Sequence, residues 1–103
     1  MGRTRCIWLL LLLASSSLAQ NVVPKDGYVP DAATAREIAE AVLKPVYGKA
    51  LIESERPFTA ILEGGVWVVS GTIPCAKSGC EGGVATVKIR KADGRIVGMI
   101  HGK

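Results

Sequence analysis

Two cysteines, one histidine and a few acidic side chains are the residues through which this chain could do chemistry. Cys75 and Cys80 stand in PCAKSGCEGG, a turn-rich segment between two apolar runs. In an oxidising compartment two such thiols are expected to pair. The loop so closed is short, which limits the stabilisation to about 2 kcal/mol. A zinc site would need about four ligands, and His101 is the only histidine. A redox-active pair is a weak reading too, because the spacing is C-x4-C and no thioredoxin-like pattern precedes it. His101 lies third from the end and fits no Ser/His/Asp order; it reads as a water-exposed histidine at a strand end. Glu53, Glu55, Glu63 and Glu81 fall in loops or at strand ends, and no spacing brings two of them together. Gly64-Gly65 and Gly82-Gly83 are turn glycines, since neither pair opens a helix or precedes Lys-Ser/Thr. The side chains therefore predict no catalytic set, no metal site and no cofactor.

The compartment is read from the N-terminus. Arg3 and Arg5 precede the apolar run Ile7 to Ala14, which is too short to span a bilayer. Small residues follow, with Ser17 and Ala19 at −3 and −1 of a cut before Gln20. Residues 1–19 are thus expected to be a signal peptide, cleaved between Ala19 and Gln20. The product would be periplasmic, with secretion as the other destination, and would keep no stable membrane anchor. No cysteine sits at the new N-terminus to take a lipid, and Cys6 leaves with the signal. Arg3 and Arg5 supply half of the formal charge of +4. The remaining cations are scattered. Lys88, Arg90 and Lys91 are the closest cluster and read as solvated strand-edge charge. A basic stripe with stacking aromatics is missing, so nucleic acid is not the expected partner.

The elements that would position these residues fall in a simple order. Residues 20–26 are a polar, flexible lead. Val29 to Gly48 reads as one long helix, capped by Asp31 and ended by Gly48. Ala35, Ile38, Ala39, Val42 and Leu43 form its apolar stripe, and Pro45 should kink or tighten its last turn. Lys49 to Arg56 is ambiguous, with Leu51 and Ile52 able to open a short strand. From Phe58 the period changes to two. Phe58–Glu63, Val66–Ile73, Val84–Arg90 and Arg95–His101 read as strands, with tight turns at Gly64-Gly65 and Asp93-Gly94. Trp67, among valines, should be the largest single burial. The expected fold is α+β: one long N-terminal helix packed on a curved antiparallel sheet of four to five strands.

Three segments, GYVPDAATAREIAEAVLKPVYGK (Gly27 to Lys49), ESERPFTAILEGGVWVVSGTIP (Glu53 to Pro74) and GGVATVKIRKADGRIVGMIHGK (Gly82 to Lys103), resemble the NTF2 fold immunity protein family. The helix ending in Pro-x-Tyr-Gly, the Val-Trp-x-Val strand and the closing Asp-Gly-Arg-Ile…His-Gly-Lys carry the resemblance. It implies a compact NTF2-like or cystatin-like domain over residues 27–103. It also implies a non-enzymatic bacterial protein that binds and neutralises a cognate toxin. The Cys75–Cys80 loop departs from the family pattern. No family motif fixes toxin-contacting residues, so none is carried over. Two other readings fit the same chain: a periplasmic inhibitor of a protease or envelope protein, and an NTF2-like binder of a small ligand. An internal Asp or Glu facing the core would favour the last.

Overall fold

The computed structural model describes residues 19–73 and 83–102. The expected Cys75–Cys80 pairing and residues 1–18 of the expected signal peptide lie outside the described residues. Ala19 and Gln20 are exposed and in no regular element.

The chain joins the fold at Gly27 to Val29. Tyr28 and Val29 donate their backbone N–H groups to Ala92 and Lys91 at 3.1 and 3.0 Å. Gly27 has φ +87°, and a Cβ there would strike the Lys91 carbonyl, so only glycine fits this close approach. Helix α1 spans Ala32–Tyr47. Asp31 caps it as expected, its side chain accepting from Thr34 N at 2.8 Å. That bond lowers the Asp31 pKa. The stripe faces inward: Ala35, Ala39 and Leu43 are fully buried, with Ile38 and Val42 packed beside them.

The helix is shorter than Val29–Gly48 and runs through Pro45 to Tyr47. Gly48, at φ +99°, then redirects the chain. Its N–H closes α1 on the Lys44 carbonyl, and its own carbonyl accepts from Ile52 N. A second helix, α2 (Lys49–Ser54), follows. This resolves the ambiguity of Lys49 to Arg56 in favour of a helix, not a strand opening at Leu51 and Ile52. Lys, Ala, Leu and Glu all favour a helix, and only Ile52 of this turn is buried, which is no alternating pattern.

Four strands complete the fold: β1 (Thr59–Glu63), β2 (Val66–Ser70), β3 (Ala85–Arg90) and β4 (Ile96–His101). They form an antiparallel meander in the order β1-β2-β3-β4. The α+β architecture is as expected, with four strands among the described residues. β2 stops at Ser70 instead of Ile73: Gly71 N still bonds the Ala85 carbonyl in register, but Ala85 N turns to Glu55 Oε1 and Thr72 N to the Glu55 carbonyl. Gly64 and Gly65 both take positive φ, as the β1–β2 turn requires. α1 packs on β1, β2 and β3. Between them lie Trp67, Val69, Val87 and Ile89, all buried. Trp67 also donates its indole N–H to the Val29 carbonyl at 2.8 Å, which ties the chain's entry to the sheet. Its reading as core therefore holds, and the polar tip of the ring is satisfied.

Candidate functional site

The alternation of the strands divides the sheet into two unlike faces. The inner face holds one charged group that the sequence did not place there. Glu55 caps the C-terminus of α2 and is 1% exposed. Its main-chain carbonyl accepts from Thr72 N at 2.7 Å. Its Oε1 accepts from Ala85 N at 2.8 Å, and its Oε2 meets His101 Nε2 at 2.8 Å. The main-chain carbonyl thus holds the chain just beyond β2, and the side chain joins the end of α2 to the start of β3 and the end of β4. Gly71 makes room for it: a Cβ there would lie 2.6 Å from Glu55 Oε1 and 3.1 Å from the Phe58 ring.

His101 is therefore not a water-exposed strand end. It pairs with Ala85 in the β3–β4 register and turns inward, its side chain 22% exposed. Nδ1 lies 2.8 Å from the Gly102 carbonyl. Both ring nitrogens face acceptors, an arrangement that favours the imidazolium form. The hydrogen bond to Glu55, then that to Gly102, raises its pKa. The Tyr47 ring stands 5.2 Å away, tilted by 51°. This pair is poorly suited to proton transfer, because neither nitrogen is left to meet a substrate. It is suited to holding the open end of the sheet against α2. The sequence carried one weak signal for it: Ile52 and Glu55, three apart, lie on one helical face, and Ile52 is core.

The other acidic residues do not join this pair. Glu53 belongs to an ionic clamp between the two helices. Lys44 reaches Glu53 at 3.4 Å and Glu40 at 3.8 Å. Arg56 donates to Glu40 through Nη2 at 2.7 Å and Nε at 3.0 Å. Glu63 ends β1, and Glu81 lies outside the described residues. Among the described residues no group of three His, Cys, Asp or Glu is placed to hold a metal ion. No helix among them is long and apolar enough to cross a membrane.

Among the described residues no helix packs over the outer face. Its middle row, read across the ladder, is Ile61, Val68, Lys88 and Gly98. Thr59, Ser70, Thr86 and Ile100 form the next row, and Glu63, Val66 and Arg90 the third. β3 is an interior strand. This corrects the reading of Lys88 and Arg90 as strand-edge charge: both stand on the open face, while Lys91 lies in the following turn. Arg90 pairs with Asp93 at 3.4 Å. Ile61 is 58% exposed and Ile100 66%. These apolar side chains stand among the polar Thr59, Ser70, Thr86 and Lys88.

The two helices and the meander together define a small α+β domain. The chain belongs to the NTF2 fold immunity protein family, whose model matches residues 34–103. It is also similar to a protein of Escherichia coli (strain K12) named "Uncharacterized protein YhhH", with 40% identity over 75 residues. That alignment takes in 73% of this chain and 58% of the relative, so the chain spans under two thirds of that protein's length. No solved structure matches.

Proposed function

We propose that this chain is an exported immunity protein that binds and neutralises a bacterial toxin domain by occupying it, without catalysis of its own. Family membership over residues 34–103 is the observation that carries the reading. The open outer face supports it, since a stable complex needs about 800 Å² from each partner. The alternative of a ligand-binding cone with a carboxylate base gains no support from Glu55. Both oxygens of that buried carboxylate already accept hydrogen bonds.

The proposal includes the route. Residues 1–19 direct export, cleavage falls between Ala19 and Gln20, residues 20–26 are a lead, and Cys75 pairs with Cys80 in the periplasm. The test begins with the tagged chain released gently from the periplasm of its source cell. The expected mass is that of residues 20–103, with both thiols resistant to alkylation until reduced. The expected companion, near one-to-one, is a protein that poisons the cell when this chain is deleted. A companion whose presence is harmless after deletion would replace immunity by inhibition of an envelope protein. A folded chain recovered alone would sink both protein-binding readings.

A further inference from the structure

Gly98 lies beside the one register shift of the described sheet. It lies within β4, directly across from Lys88. Glycine weakens a strand interior, so its presence there calls for a reason. Its φ is not among the positive values that need glycine, and a Cβ built on it meets nothing within 4 Å. Neither backbone strain nor crowding demands it. Beside it is a hollow of about 220 Å³, lined by Thr86, Lys88, Val97, Gly98, Met99 and Ile100. Val97 is 50% exposed. The ladder slips between Lys88 and Ile89, so that Ile89 pairs with Ile96. Val97 is thereby the extra residue of a bulge, a device that re-aims side chains.

Lys88 is exposed and has no ion-pair partner among the described residues. It stands near the centre of the face, with Val68 on one side and the hollow on the other. Charge complementarity therefore selects the occupant. A second copy docked face to face about an axis at Lys88 would set two Lys88 side chains against each other, which is repulsive. An acidic side chain would place its carboxylate against the Lys88 ammonium and its stem against Val97 and Ile100.

We propose that the outer sheet face around Lys88 and Gly98 is the partner-binding surface, and that its hollow receives an Asp or Glu side chain of the partner protein. This rests on the immunity reading for the partner's nature, but the site itself is tested separately. A photoreactive benzoylphenylalanine replaces Ile61 on this face or, as a control, Ala33 on the exposed side of α1, in the source cell. Irradiation should crosslink the Ile61 variant to one protein, through a peptide that contains Asp or Glu. Lys88→Glu and Gly98→Leu should each cut the crosslink by about ten-fold or more, with the thermal midpoint unchanged. Reversing the partner's acidic residue to Lys should restore the crosslink to Lys88→Glu. A crosslink from Ala33 alone, none from either position, or full crosslinking by both variants would overturn the surface. If the captured protein is harmless when this chain is deleted, immunity fails and the surface stands. If a toxin is captured from Ala33 alone, the surface fails and immunity stands.

Discussion

The two faces of the sheet are made by alternate residues of the same strands, yet they obey different rules. On the inner face Val69, Val87 and Ile89 lie under α1. The charged pair there, Glu55 and His101, has every polar atom engaged. On the outer face Ile61, Val97 and Ile100 stand in water, and Lys88 has no ionic partner among the described residues. A buried polar group must find a partner or cost stability, so the demands of folding account for the inner face. They do not account for apolar side chains left in water around an open hollow. The helical clamp of Glu40, Lys44, Glu53 and Arg56 sharpens the contrast, since it too borders solvent but satisfies its own charges.

The comparison breaks first if the inner face proves dispensable. Leu43→Ala removes a fully buried side chain from the helix–sheet contact. It should lower the unfolding free energy by about 3 kcal/mol, a large share of what a small domain holds. Denaturant titration would measure it. A loss near zero would mean that α1 is not anchored on this face.

Glu55→Gln comes next. It keeps an acceptor for Ala85 N but brings an amide where His101 meets a carboxylate. The expected loss is about 2 kcal/mol, from the charge-assisted hydrogen bond. A double-mutant cycle with His101→Gln should show that the two losses are not additive, because either change removes the same contact.

The same pair makes stability depend on pH, with a sign that can be worked out. The His101 pKa is raised in the folded chain above its ordinary 6.5. Between the two values the folded state binds more protons than the unfolded state, so stability falls as pH rises. The contribution is fully present below 6.5 and is lost as pH climbs through the folded value. The imidazole faces Glu55 from α2, the Gly102 carbonyl from its own strand end and Tyr47 from α1. Denaturation midpoints on either side of neutrality should decline toward alkaline pH in the parent chain, and Glu55→Gln should flatten that decline. A parent chain equally stable throughout would show that folding leaves the His101 pKa unshifted.

Why part of this was legible in the sequence and part was not follows from range. The Asp31 cap, the apolar stripe of α1 and the Gly64-Gly65 turn are local patterns, and each appears where the spacing puts it. The α2 turn is too short to display a period, and its one buried residue, Ile52, cannot be told from the opening of a strand. Glu55 and His101 meet across 46 positions. No local pattern predicts such a pair, and each residue alone reads as solvent-facing. Lys88 was misplaced for another reason. The cluster Lys88, Arg90, Lys91 suggested an edge, although the third strand of a four-strand meander is an interior one.

The smallest expected effect separates the faces most cleanly. Val87→Thr and Ile100→Thr each put a hydroxyl on a β-branched side chain of an adjacent strand. Val87 is fully buried, so its hydroxyl would be desolvated at a cost of about 1–3 kcal/mol. Ile100 is in water on the outer face, and its replacement should shift stability by no more than about 0.5 kcal/mol. The same Ile100→Thr should weaken capture of the partner, because it removes apolar wall from the hollow beside Lys88. A substitution that the fold does not register and the complex does would assign the residue to binding. Were Ile100→Thr instead to unfold the chain as Val87→Thr does, the outer face would be covered in the native protein, and its apolar side chains would need no partner to explain them.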